Sequence, residues 1–204
     1  DAEHISIPIT DKLTKRWGIT ADQLYQDTIK VQAAWNQPLL ADLLEMGTYL
    51  NGGTRPDNLL SADKIDDTGL YVLTNYKLYN GAAMIAHDEM AQKIGNLLQM
   101  DYYILPSTVH ELLVYPDNGV ISITQLQEMV KSVNATDVLP KDRLSDKVLF
   151  YNQQERRLEL ATEREEYFED KTEDTQEKKE LAEGKDKSES EKKEDKSLKF
   201  SIRL

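Results

Sequence analysis

The chain of 204 residues has no cysteine, which excludes disulfides, thiolate metal sites and thiol nucleophiles together. Histidine is almost as scarce. His4, His87 and His110 are the only three, and their spacing matches no zinc-ligand motif, so no metal is expected. Glycine and proline are few, and Asn51-Gly52-Gly53 is not followed by Lys-Ser or Lys-Thr. Asn80-Gly81 also lacks dinucleotide spacing, so no phosphate-cradling loop and no cofactor is expected. No apolar run approaches the roughly 20 residues of a membrane span. The opening DAEHISIPITDK lacks the basic and apolar regions of a secretion signal. These absences predict a soluble protein of the reducing cytoplasm with no membrane partner. Because the first residue is Asp1 and not Met, a further segment is expected upstream.

Charge is what the chain has in abundance, and it divides the sequence. Residues 161–196 hold 15 acidic and 9 basic side chains, a net of −6 in 36 positions. Too little apolar area is available there to offset the entropy of ordering, so a disordered linker is predicted. The net charge of −12 then leaves −8 on residues 1–160, the expected globular domain. An acidic body repels phosphate backbones and argues against direct nucleic-acid binding. After the linker, residues 197–204 alternate: Leu198, Phe200, Ile202 and Leu204 against Ser197, Lys199, Ser201 and Arg203. An extended segment of that pattern has one apolar face and could dock on the sheet edge of another protein, or on its own. A flexible linker of this length reaches about 30 to 35 Å.

Periodicity along residues 1–160 predicts an α+β fold, a small antiparallel or mixed sheet packed against several helices. A first helix runs from Thr10 to a left-handed stop at Gly18. Thr20 and Gln23 form a capping box for a second, whose Leu24, Thr28, Val31 and Trp35 make a core-facing stripe. Leu39, Leu40, Leu43, Leu44 and Met46 predict a short apolar helix ending near Gly47. Residues 51–68 read as a surface loop. Strands are expected over 70–74 and 82–86, then a helix capped by Asp88 with Ala91, Ile94, Leu97 and Leu98 inward. Residues 102–105 and 111–115 flank Pro106-Ser107-Thr108, a spacing that suits a hairpin or a bulged bend. Asp117-Asn118-Gly119 is a turn, Thr124 and Gln127 a second capping box with Leu126, Met129, Val130 and Val133 inward, and 148–151 with 157–160 a closing hairpin.

The strings LYVLTN, GAAMI, YYILPSTVHELLVYP, VNATDVLP and LSDKVLFY, with the upstream WGITADQLYQDTI, occur in an order that resembles the bacterial domain-of-unknown-function family 5688, found mainly in Firmicutes. The resemblance spans roughly residues 5 to 160 and implies the C-terminal portion of a larger domain. It implies no activity and no catalytic residue.

Ser107, His110 and Glu111 are the sharpest cluster of reactive side chains, since hydrolases combine a hydroxyl, an imidazole and a carboxylate. In a strand, however, His110 and Glu111 point to opposite faces, and no nucleophile elbow surrounds Ser107. A histidine with satisfied bonds and a hydroxyl-capped bend is the simpler account. Asp63, Asp66 and Asp67 lack the order of a calcium loop and suit a turn. Asn134-Ala135-Thr136 has the letters of a glycosylation site but reads as a helix end. The chain is therefore expected to be a non-enzymatic protein-interaction module with a tethered docking segment. The rivals are a hydrolase using His110 with Ser107 or a distant carboxylate, an acidic nucleic-acid mimic, and a structural domain encoded on mobile DNA.

Overall fold

The computed structural model describes residues 7–87 and 89–162. Six strands run through them: β1 (Pro38–Asp42), β2 (Tyr71–Asn75), β3 (Tyr102–Leu105), β4 (Leu112–Pro116), β5 (Leu149–Asn152) and β6 (Arg157–Leu160). They form one sheet, antiparallel at every pairing, in the order β1-β2-β4-β3-β5-β6. The alternation of a pleated strand divides the central residues between two faces. Tyr71, Leu73, Tyr102, Ile104, Leu112, Val114 and Tyr151 share one side with α4 (Met90–Leu98) and two 3₁₀ segments, Leu59–Ser61 and Gly81–Ala86. On the other side Tyr103, Leu105 and Phe150 pack with α5 (Ile123–Thr136), and Leu39, Ala41 and Val72 with α3 (Leu43–Leu50). The protein is thus α+β, with helices on both faces of an antiparallel sheet.

Two stretches depart from the periodicity reading. Leu39, Leu40 and Ala41 form β1 instead of helix, because pairing with β2 buries them completely on both faces. Continuous apolar runs of this length suit a doubly covered strand and a helix equally. The helix that follows, α3, begins at Leu43 behind Asp42, whose carboxylate accepts from the Leu44 and Glu45 amides, and it continues through Gly47 to Leu50. Residues 82–86 coil into 3₁₀ turns, since both edges of β2 are already taken by β1 and β4.

The second capping box is real but lies two residues earlier. Ser122 accepts from the Gln125 amide while Gln125 Oε1 accepts from the Ser122 amide, so α5 starts sooner. It buries Leu126, Val130 and Asn134 and leaves Met129 and Val133 substantially exposed, contrary to their predicted inward placement. The two hairpins β3–β4 and β5–β6 and the stop of α1 (Asp11–Trp17) at Gly18, with φ +71°, stand as read. Asp88, expected to cap α4, lies outside the described residues.

The outer strand β1 is closed by a side chain. Asn58 Oδ1 accepts from the Leu40 amide at 3.2 Å and its Nδ2 donates to the Pro38 carbonyl at 2.9 Å, so an amide completes the ladder where another strand would otherwise add. On the neighbouring strand Tyr71 donates its hydroxyl to the Asp66 carbonyl at 2.6 Å. Burial, reinforced by the carboxylates of Asp66, Asp42 and Asp67, pushes that phenol up to about 12. Burial raises the Tyr102 and Tyr151 phenols as well.

Candidate functional site

The richest polar cluster gathers where β2 leaves the sheet. Asn75 is fully buried, and its side chain winds the following loop: Oδ1 accepts from the Lys77 amide at 2.9 Å, and Nδ2 donates to the Tyr79 carbonyl at 2.8 Å. Leu78 and Asn80 consequently sit at φ +54° and +51°. Asparagine tolerates this region, whereas leucine is strained there by roughly 1–3 kcal/mol. Gly81 comes next. A Cβ on it would stand 2.2 Å from Thr74 Oγ1 and 2.5 Å from the His110 carbonyl, so only glycine lets this loop close on the β3–β4 connection.

His110 joins three loops. Thr74 Oγ1 donates to its carbonyl at 2.8 Å, and the Asn80 amide donates to Nδ1 at 3.2 Å. An acceptor at Nδ1 places the proton of the neutral ring on Nε2, which faces Asp142 Oδ1 at 3.6 Å. The Tyr79 ring lies 5.2 Å from the imidazole. Asp142 is held by its backbone, its carbonyl accepting from the Val109 amide at 2.8 Å, and the adjacent Arg143 bridges to Thr108.

Of the three side chains singled out in the sequence, none meets another. Glu111 Oε1 accepts from Thr108 Oγ1 at 3.2 Å, and Thr108 in turn caps the His110 and Glu111 amides, so the hydroxyl turn is centred on Thr108. Ser107 sits at the bend with its amide donating to the Leu105 carbonyl, and among the described residues its hydroxyl bonds to neither His110 nor Glu111. The carboxylate facing the imidazole is Asp142, 32 positions along the chain, for which no local motif gave a signal. The Asn80 amide thus occupies Nδ1, and Nε2 faces Asp142, so both ring nitrogens are turned toward neighbouring loops. The arrangement clasps loops together.

A second constellation escaped the sequence reading altogether. Arg55, in the turn-rich loop after α3, lies 5.2 Å from the ring centres of both Tyr49 and Tyr76, and its Nη2 donates to Tyr49 Oη at 2.9 Å and to the Tyr76 carbonyl at 3.2 Å. A groove of about 340 Å³ opens beside it, lined by Glu45, Thr48, Thr54, Arg55, Pro56 and Asp57. Tyr49 and Tyr76 are separated from Arg55 by 6 and 21 positions, too irregular a spacing to suggest a motif.

The third feature is apolar and exposed. Among the described side chains, helices α1 and α2 (Ala21–Trp35) contribute none to the core of the sheet, and the stripe predicted to face inward does not: Val31 is 56% and Trp35 73% exposed, and of the four only Leu24 is half-buried. Thr20 caps the Gln23 amide, but Gln23 turns to Asp27 and so makes half of the expected box. Tyr25 Oη reaches the Ala86 carbonyl at 3.5 Å. Ile7, Ile9, Trp17 and Tyr25 add further exposed apolar surface, and a shallow groove is lined by Asp27, Thr28, Val31, Trp35 and Asn36. With α3 and α5 on one face of the sheet and α4 on the other, the stripe on α2 is left without a core to enter.

The remaining sequence candidates are dispersed. Asp66 Oδ1 accepts from the Thr68 amide and hydroxyl, bonds that lower its pKa and form a turn, and among the described residues no three His, Asp or Glu side chains converge on one point. Asn134 is buried in α5 and donates to the Ser145 carbonyl and to Asp146. His4 and the segment bearing Leu198, Phe200, Ile202 and Leu204 lie outside the described residues. No helix among those described is long and apolar enough to cross a membrane.

A family model described as a family of unknown function (DUF5688) matches residues 1–153. No curated protein and no solved structure matches the chain.

Proposed function

The chain belongs to the family of unknown function DUF5688, and on that premise we propose that residues 1–160 are a non-enzymatic protein-interaction module. The observation that carries this reading is the exposed pair Val31 and Trp35, one turn apart on α2 and lining one shallow groove. Large apolar side chains clustered on one surface mark an interaction site far more often than scattered ones, and tryptophan and tyrosine are the usual anchors. The partner is a protein with an apolar anchor and a basic rim, because the −8 charge on residues 1–160 steers cationic surfaces toward it. The engaged nitrogens of His110 support the same reading over a hydrolase. Leu198, Phe200, Ile202 and Leu204 act as a second docking segment, linked through residues 161–196.

Val31→Asp with Trp35→Ala tests this, since both side chains are exposed and the sheet should persist by circular dichroism. Immobilised native chain and the double variant are each offered a native bacterial extract, and a protein retained by the native chain alone is purified and rebound. Rebinding that weakens at least tenfold in the variant and falls with added salt is expected. Identical capture by both proteins overturns the proposal. A version ending at Leu160 separately tests the docking segment, for which equal partner recovery would be fatal.

A further inference from the structure

The imidazole of His110 stands between two loops that favour opposite protonation states. Nδ1 accepts from the Asn80 amide at 3.2 Å, which requires a bare lone pair and therefore a neutral ring. Nε2 faces Asp142 Oδ1 at 3.6 Å, and a carboxylate at that distance favours the charged ring. Protonation strengthens one contact and destroys the other, because an imidazolium is a donor at both nitrogens and its Nδ1–H would point at the Asn80 N–H. The His110 and Asp142 side chains are 27% and 22% exposed, so water can deliver the proton.

The backbone around the ring is pinned, and the conflict cannot be relieved by carrying the whole residue away. The His110 carbonyl accepts from Thr74 Oγ1 at 2.8 Å, its amide donates to Thr108 Oγ1 at 2.9 Å, and the neighbouring Val109 carbonyl accepts from the Ala82 amide at 3.2 Å. The loop is the side that yields. Asn80 holds φ +51° without a side-chain cap and follows Leu78 at φ +54°, conformations that residues with a Cβ keep only while surrounding bonds impose them. Asn75 continues to hold the Lys77 amide and the Tyr79 carbonyl, which confines the movement to Tyr79 and Asn80. Of the charged side chains on flanking residues, Glu111 is turned to Thr108 and the Arg143 guanidinium to the carbonyls of Val138 and Ala135. Asp142 is the carboxylate that answers an imidazolium here, with the Tyr79 ring 5.2 Å away on the loop side.

We propose that His110 is a proton-operated clasp. The neutral ring ties the loop after β2 to the β3–β4 connection through Asn80. The charged ring, with the new proton taken from solvent onto Nδ1, releases Asn80 and pairs with Asp142, so acid loosens one loop while tightening the other. Nothing in this depends on the apolar surface of α2, and the clasp would stand if that surface bound no partner.

Nuclear magnetic resonance on the full chain tests it through the scalar coupling across the Asn80 N–H···Nδ1 hydrogen bond, followed together with the ring nitrogen shifts from roughly pH 8 to pH 5. The coupling should be present with the neutral ring and vanish at the midpoint at which the ring nitrogens titrate. Asp142→Asn keeps an acceptor for Nε2–H but removes the charge, and it should move that common midpoint to lower pH by about 0.3–0.7 unit, the size expected of a partly exposed ion pair. His110→Asn offers a side-chain carbonyl in the place of Nδ1 and cannot titrate, so the Asn80 amide signal should hold still across the same range. A coupling that survives ring protonation, no coupling at any pH, an unmoved midpoint in Asp142→Asn, or an Asn80 signal that still titrates in His110→Asn each overturn the proposal.

Discussion

One substitution made in two helices should give stability changes of opposite sign. Gly95 lies in α4 where the helix rests on the sheet, and a Cβ there would stand 2.5 Å from Tyr151 Cε1 and 2.2 Å from Gln153 Oε1. The glutamine oxygen is the end of a flexible side chain and can withdraw. Tyr151 cannot, because it is 1% exposed and its ring stacks on Tyr102 at 5.0 Å, while Tyr102 is itself fully buried and bonded to the Ala91 carbonyl. Gly95→Ala therefore lifts α4 from the sheet or displaces a stacked pair, at an overpacking cost of about 1–3 kcal/mol. The alanine returns up to about 1 kcal/mol of helix propensity, so a net loss of roughly 1–2 kcal/mol is expected. Gly47, in α3, has nothing within 4 Å of the same added carbon. Gly47→Ala should gain roughly 0.5–1 kcal/mol from propensity alone. For a domain of this size each kcal/mol moves Tm by about 2–4 °C, so the two variants should melt on opposite sides of the native protein. Urea unfolding followed by far-ultraviolet circular dichroism measures both, since Trp17 and Trp35 are exposed and report poorly on the sheet. Gly95→Ala as stable as the native chain, or both variants shifted the same way, would refute the packing argument.

Two further outcomes follow from single side chains. Tyr71, whose folded pKa is raised from 10.0 to about 12, stabilises the fold fully below pH 10 and loses that contribution as pH climbs through its folded value. Two pKa units are worth at most about 2.7 kcal/mol, and screening by nearby solvent reduces this to roughly 1–2 kcal/mol, so Tyr71→Phe should flatten the alkaline fall in stability by that amount. An unchanged fall would assign it to the other buried tyrosines. Asn58→Ala removes the acceptor of the Leu40 amide and the donor to Pro38, and should cost about 1–3 kcal/mol while accelerating exchange of the Leu40 amide. Unaltered protection at Leu40 would show that the edge of β1 does not depend on this side chain.

What could be read from the residues alone was whatever local chemistry decides. Gly18 stops α1 because a residue without Cβ accepts its positive φ, and the bend at Pro106-Ser107-Thr108 sets two β-rich runs back to back, so hairpin β3–β4 was legible. The α+β class followed from the same short-range signals. Where two local outcomes are nearly equal in energy, partners remote in sequence choose between them. Leu39-Leu40-Ala41 became a strand because β2 offers hydrogen bonds from more than 30 positions away. The stripe on α2 was visible as a pattern, yet a pattern says only that a face is apolar. Whether that face is buried depends on which helices already occupy the sheet, and α3, α4 and α5 do. The same holds for side-chain chemistry: the residues around His110 were evident in the chain, but its partners Asn80 and Asp142, and the two tyrosines flanking Arg55, are brought together only by the path of the folded backbone, since such contacts depend on distance in space and not on spacing along the chain.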